Sequence, residues 1–526
     1  MMEAQNTPEN EPFVCKDCKK YGLYSETHDV CEANYINNFR QTDCQCDNIG
    51  HGRNVTISDE PVTDEQLEDF KSVNDNIARP TLRNLKINNR DLDKIDVVAL
   101  DLIDDWNFVT ERESNTIYWY NGKIYDSKNS TSVIKEAVEK QIADCTESNS
   151  NEVVNKIKRL TYMGIEEFDS DPNVVTLENG IYNISTGELT PHTPTYFSKV
   201  LIPCSYTKPV HENIEDNLKD TLFWNYLTTT CTVNGKLDDV MRTDILEMMA
   251  CCFVKQQINE ISFLLHGDGA NGKSVALEYI QNMLGDDNFT NIPLQTLAED
   301  KFQVASLDGK LANIFTDIEQ NELKHTGIIK AISSGESVQV RHLYSEPFKM
   351  KPYAKLIFSC NRFPKVYDQH GGFFRRWKII MFKRKFAIND PIRDNNLKDN
   401  LRDNVEERNL VFSVLIGISK ELLQRGNFTY SISEKGNQKI WNENSDPLQA
   451  FVDNYCIRVN GWKSKEETYK FYKQIMYDKG ETPLKYRPFN KEFSEHYEEG
   501  HSGDVRKWEN LDFKVPKQES LEEYDL

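Results

Sequence analysis

The octapeptide Gly267-Asp268-Gly269-Ala270-Asn271-Gly272-Lys273-Ser274 follows a short apolar run, Ile261-Ser262-Phe263-Leu264-Leu265, with His266 between them. After it, Val275 to Leu284 repeats apolar residues at helical spacing, and Gly285 supplies a stop. The pattern predicts strand, loop and helix, the context in which G-x-x-x-x-G-K-S cradles phosphate. Glycines let backbone N–H groups turn inward, and the helix N-terminus adds a positive dipole end. Lys273 is then expected to reach β- and γ-phosphates and Ser274 to hold magnesium.

Three further segments follow in order. Lys310 to Thr316 reads as a second core strand, ending at Asp317-Ile318-Glu319. Two residues apart, both carboxylates would face one side if the strand continued. Asp317 is the expected magnesium partner and Glu319 the residue expected to polarise water, although the two roles could be exchanged. Lys355 to Cys360 reads as a third strand, ended by Asn361. An amide there could touch γ-phosphate and water, and would equally suit a turn. Arg375 and Arg376 come next. A guanidinium that stabilises charge on a departing phosphoryl group is worth ~10³ to 10⁵ in rate, and one beyond the third strand is expected to reach a neighbouring subunit's nucleotide.

These residues resemble superfamily 3 helicases of the poxvirus and phage/plasmid primase–helicase type. The likeness lies in G-D-G-A-N-G-K-S at 267–274, L-A-N-I-F-T-D-I-E at 311–319, S-G-E at 334–336, K-L-I-F-S-C-N-R-F-P at 355–364 and F-R-R-W at 374–377. Upstream, Asp171-Pro172, Leu177 to Gly180 and Thr186 to Leu189 are similar to the domain that precedes the motor in that family. The resemblance covers about 110 to 526. It implies an α/β multidomain chain: an AAA+ P-loop motor with a helical collar and a C-terminal winged helix. It implies a ring, usually a hexamer, that hydrolyses ATP with magnesium and unwinds DNA 3′ to 5′. It also implies Arg376 as the arginine finger, with Arg375 its neighbour.

Charge and composition bound the rest. The 526-residue chain has a net charge of −21, which argues against a generic polyanion binder. Locally the balance reverses: from Arg341 to Lys385 there are twelve Lys/Arg against two acids, Glu346 and Asp368. Phosphate binding needs only such a local track. Val338 to Leu343 and Phe348 to Lys351 alternate like two strands around Tyr344-Ser345-Glu346-Pro347, which predicts a hairpin. In the resembled family this hairpin points into the ring channel. Arg341, His342, Tyr344, Lys349 and Lys351 are therefore the candidate contacts to single-stranded or forked DNA, with Tyr344 available to stack on a base.

Five of twelve cysteines lie between residues 15 and 46. Cys15, Cys18, Cys44 and Cys46 form two close pairs that could hold zinc tetrahedrally, or belong to a thiol-bearing tail. The others suggest reduced thiols, and with no long apolar run the expectation is a soluble cytoplasmic protein without membrane contact. The expected organisation is a Cys-rich segment over 1–55, an acidic linker over 56–109, a domain preceding the helicase over 110–235, the motor over 236–395, a helical segment over 396–445 and a winged-helix-like domain over 446–526. Lys485, Arg487, Lys491, Arg506 and Lys507 of the last are candidate duplex contacts, or else the solvated basic edge of a protein–protein docking domain. In the linker, Val97 to Leu100 precede Asp101, Asp104 and Asp105, a distant echo of a polymerase strand whose spacing is wrong. The functional expectation is a replicative DNA helicase of a virus, plasmid or integrated element, self-associating and with a partner primase or other replisome protein. The alternative is an ATP-regulated initiator without processive unwinding.

Overall fold

The structure is a computed structural model that describes residues 94–341, 347–366, 372–478 and 482–514, with short strands Pro12–Val14 and Tyr21–Leu23. The four N-terminal cysteines expected to hold zinc, and His342 and Tyr344, lie outside the described residues. The chain divides into two compact units, the first holding 94–110, 117–120 and 127–162, the second the remainder from 163 onward with 111–116 and 121–126.

In the first unit, helices α1 (Lys94–Trp106), α2 (Ser130–Gln141) and α3 (Glu147–Leu160) surround one core. Leu102, Ile103, Ile134, Val138, Val153 and Ile157 fill it. The Thr146 hydroxyl caps α3 by accepting from Asn149 N at 3.2 Å. Two expectations are corrected here. Val97 to Leu100 are helical, because apolar residues at 98, 99, 102 and 103 make one helix face; Asp101, Asp104 and Asp105 therefore follow no strand. The segment from Lys94 to 109 packs into this unit rather than serving as linker.

The second unit begins with strands β1 (Val174–Leu177), β2 (Gly180–Asn183), β3 (Glu188–Thr190) and β4 (Leu201–Ile202), ordered β4-β1-β2-β3. Helices α4 (Leu222–Cys231) and α5 (Asp239–Cys251) follow. Then come β5 (Ser262–His266), α6 (Lys273–Leu284), β6 (Phe289–Thr290), β7 (Ala312–Phe315), α7 (Gly327–Ser333), β8 (Val338–Val340), β9 (Phe348–Met350), β10 (Lys355–Cys360) and β11 (Trp377–Met381). Strands β6-β7-β10-β5-β11 form one parallel sheet. Its strands read as continuous apolar runs because both faces are covered. Phe263 and Leu265 face one core, with α6 and the long helix α8 (Val405–Arg425); Leu264, Leu356 and Phe358 face another, with α7 and Trp441.

Helix α8 packs along α5 and shares the first core with α6 and β5, so the segment expected over 396–445 packs with the region expected over 236–395. Helix α9 (Glu434–Ser445) supplies Trp441, fully buried, whose indole N–H donates to Pro364 O at 2.9 Å. Beyond it, α10 (Pro447–Tyr455), β12 (Cys456–Ser464), α11 (Lys465–Asp478), α12 (Tyr486–Phe493), β13 (Glu499–Ser502) and β14 (Val505–Phe513) enclose an aromatic core of Phe451, Tyr472, Phe489, Phe493 and Trp508. The sheet order there is β12-β14-β13.

Candidate functional site

Register explains the site. His266 pairs with Cys360, and Phe315 with Phe358, so the loops leaving β5, β7 and β10 emerge together at the sheet's carboxyl edge. That edge is where parallel sheets bind ligands. The octapeptide turns there through Gly269 (φ 93°), Ala270 (φ 50°) and Gly272 (φ 93°) before α6 begins. A Cβ on Gly272 would stand 3.1 Å from Thr230 and 3.3 Å from Tyr226, whose hydroxyl donates to Gly272 O at 3.0 Å. Asn271 is buried and reaches Phe382 O at 3.5 Å, while Phe386 N donates to Ala270 O at 2.7 Å. The chain after β11 thus braces the loop from outside.

Lys273 is buried; its ammonium donates to Gly267 O and to Asn361 Oδ1, the latter at 3.3 Å. Asn361 Nδ2 in turn donates to Asp317 Oδ1 at 3.4 Å. Burial lowers the Lys273 pKa, partly opposed by Cys360, Asp268 and Asp317. A cavity of about 550 Å³ opens beside this chain of contacts. Gly269 to Val275, Thr316, Asp317, Ser359 and Asn361 line it with the charged Arg393, Asp394 and Lys398, and so do the apolar or aromatic Tyr226, Phe386, Ile392 and Leu397. The sequence reading missed those four because they lie far from the motifs and carry no spacing signal. Beneath the loop, burial holds His266 down to about 4, with Lys273 adding to the effect, and pushes the Cys360 thiol up to about 12.

The expected pairing of Asp317 with Glu319 fails geometrically. Strand β7 stops at Phe315 and Asp317 adopts φ 61°, so the alternation that would align the two is broken. Asp317 lines the cavity; Glu319 is exposed outside it and accepts from Asn321 Nδ2 at 2.5 Å. Neither Arg375 nor Arg376 lines the cavity of its own chain. They sit in a 3₁₀ turn, Phe374–Arg376, within 2.7 and 3.0 Å of Glu260 Oε2 respectively.

The expected hairpin forms, β8 pairing antiparallel with β9 and Gln339 opposite Lys349. Val338, Val340 and Met350 point inward; Lys349 and Lys351 are exposed. Arg341 lies 4.6 Å over the Phe302 ring. The positive balance of this segment is smaller at the surface than in the sequence. Lys355 is buried and donates to Val254 O and Tyr353 O, and Lys378 pairs with Asp244 at 2.7 Å. No cluster of three or more metal-ligating side chains occurs among the described residues, and no helix among them is long and apolar enough to cross a membrane.

Residues 265–376 match a family of unknown function, DUF5906, and residues 93–231 match the D5 N terminal like family. The "Putative helicase L207/L206" of Acanthamoeba polyphaga mimivirus is 26% identical over 54% of this chain and 28% of its own length. The "Putative helicase 121R" of Invertebrate iridescent virus 3 is 21% identical over 42% of this chain and 24% of that protein. The chain is similar to viral D5-type primase–helicases. It matches only about a quarter of the length of these curated D5-type relatives. Among solved structures, the apo form of the NrS-1 C-terminal region aligns with 80% of this chain and 100% of its own, at 12% identity and a TM-score of 0.43. The architecture is mixed α/β and multidomain.

Proposed function

We propose that this D5-like chain is an ATP-driven DNA helicase that works as a ring in the replication of a virus or related element. The observation that carries the reading is the contact chain Lys273–Asn361–Asp317 beside a cavity whose lining mixes backbone of the glycine-bearing loop, charged side chains and apolar ones. A nucleoside triphosphate, with charged phosphates and a flat base, needs such a mixed lining. The residues fit ATP and magnesium: Gly272 lets the backbone approach closely, Ser274 and Asp317 both line the cavity, and magnesium needs few protein ligands because it keeps several waters. When bound, magnesium would neutralise charge on the β- and γ-oxygens. Lys273 holds the triphosphate, and Asn361 orients water at its end. Glu319, outside the cavity, is the weaker choice for that task. The arginine comes from the next copy, since neither Arg375 nor Arg376 lines its own cavity.

The exposed hairpin cations Lys349 and Lys351 grip the strand. The order helix, strand, two helices and hairpin from α10 to β14 supports a winged helix, with Arg506 on the hairpin as one duplex contact. Unwinding 3′ to 5′ and hexameric assembly rest on the family resemblance alone.

The test combines DNA-stimulated ATP hydrolysis, strand separation on a forked duplex, and particle mass with ATP and single-stranded DNA. Lys273→Ala is expected to abolish turnover and unwinding. A chain that stays monomeric with both ligands saturating, yet hydrolyses ATP at its full rate, overturns the reading. ATP turnover without strand separation favours the initiator.

A further inference from the structure

We propose that Glu260 is a positioning residue for the arginine pair, presenting Arg375 and Arg376 as one cationic unit to the triphosphate of a second copy of this chain. The inference rests on the shared-site reading above. Glu260 lies two residues before β5, and both it (φ 55°) and Asn259 (φ 50°) are in the left-handed region. Two successive non-glycine residues there are costly and persist only where surrounding contacts enforce them. They lie just before β5, whose Ser262 pairs with Trp377 at the start of β11, so Glu260 stands beside the 3₁₀ turn that precedes β11.

One oxygen, Oε2, lies within ion-pair distance of both guanidiniums, 2.7 Å from Arg375 Nη2 and 3.0 Å from Arg376 Nη2, shielded from solvent and without hydrogen-bond geometry to either. The two arginines are held differently. Arg376 is 12% exposed at its side chain; Nε and Nη2 donate to Ser334 Oγ at 3.2 and 2.9 Å, and Nη1 to Gly372 O at 2.5 Å. Arg375 is 47% exposed and its ion pair is with Glu260. The carboxylate therefore joins a fixed guanidinium to an outward one. It offsets the repulsion of two like charges side by side and removes rotamer freedom from the outward arginine. An arginine acting across a seam needs that preorganisation, since a misplacement of about 1 Å can cost on the order of 100-fold in rate. Glu260 does not line the nucleotide cavity, so it acts only through the arginines. By exposure, Arg375 is the reaching residue and Arg376 its anchor.

The test is Glu260→Gln, which keeps the shape and removes the charge. Binding of a fluorescent ATP analogue and the thermal unfolding midpoint should match wild type, while kcat for ATP falls about tenfold or more and KM holds. Mixed with Lys273→Ala, which retains its arginines, the Glu260→Gln chain should regain activity above the sum of the two alone. Mixed with Arg375→Ala it should not. Wild-type kcat in Glu260→Gln overturns the proposal, and so does a low kcat without recovery beside Lys273→Ala. If the Gln variant misfolds, Glu260→Asp is expected to give a smaller kcat loss with the same mixing pattern, and its absence overturns the proposal equally. Failure of Lys273→Ala and Arg375→Ala to complement each other, with wild type active, sinks the shared site itself and the proposal with it.

Discussion

Gly272 and His266 carry the site's requirements at the level of single atoms. Gly272 holds φ 93° with the Thr230 and Tyr226 side chains against its bare Cα. Gly272→Ala should lose about 1–3 kcal/mol of stability, from a left-handed alanine and a crowded Cβ, and weaken nucleotide binding. Urea denaturation and nucleotide titration measure the two effects. His266 is neutral in the fold because burial depresses its pKa to about 4. The unfolded chain therefore binds more protons between about 6.5 and 4, so stability from this group is present above 6.5 and is lost as pH falls to 4, by about 3 kcal/mol. Asp244 acts oppositely. Burial raises it to about 6, so its contribution is full below 3.8 and lost as pH rises to about 6. The two trends nearly cancel in the native protein. His266→Gln should unmask the Asp244 trend, gaining relative to wild type by about 1.4 kcal/mol for each pH unit between 6.5 and 4. Chemical denaturation at pH 7 and pH 4.5 checks this.

Between elements, buried charge does the tying. Lys255, just after α5, donates to Asp169 Oδ1 at 2.6 Å and Tyr196 O–H at 3.2 Å, joining the turn after α5 to the loops flanking the β1–β4 sheet. Both partners of the ion pair are almost fully buried, at 1% and 4% side-chain exposure. Lys255→Met leaves an uncompensated carboxylate and should cost about 3–5 kcal/mol in equilibrium unfolding. A loss under about 1 kcal/mol would mean that water reaches Asp169. Along the sheet, alternate residues of β5 and β10 enter different cores, so each strand couples the helical layer of α5, α6 and α8 to the layer of α7 and Trp441. The loop at Lys273 and the hairpin β8–β9 accordingly belong to one packed unit.

At the scale of the whole molecule, the proposed function asks an acidic chain to bind a polyanion through a few exposed cations. Several of the cations between 341 and 385 are internally occupied: Lys365 pairs with Asp446, Lys383 with Asp238 and Arg384 with Asp390. Lys349 and Lys351 remain exposed on the hairpin. Each substitution to Ala should lower the salt slope of single-stranded DNA binding by roughly 0.7 per lost phosphate contact, with ATP binding intact. Filter binding or anisotropy across a salt series measures the slope. An unchanged slope in the double variant would remove the hairpin from the interface.

The chain itself determined the glycine-bearing loop over 267–274, the three core strands and the order of Lys273, Asp317, Asn361 and the arginines, because a buried parallel strand must be an uninterrupted apolar run and a tight turn favours glycine where φ is positive, as at Gly269 and Gly272. It also determined the hairpin, since alternation fixes which residues face inward. Only the tertiary structure decided what each charged group does. Asp317 and Glu319 part because a left-handed residue breaks a period of two. Lys355 and Lys378 leave the surface because strand register buries them. Tyr226 and Phe386 join the cavity, and Glu260 joins the arginines, through contacts between segments distant in sequence, where no local pattern records the neighbour. Strand β12 was likewise illegible, being buried only at Cys456 and half-buried or exposed beyond it, and so lacking the apolar alternation that burial imposes.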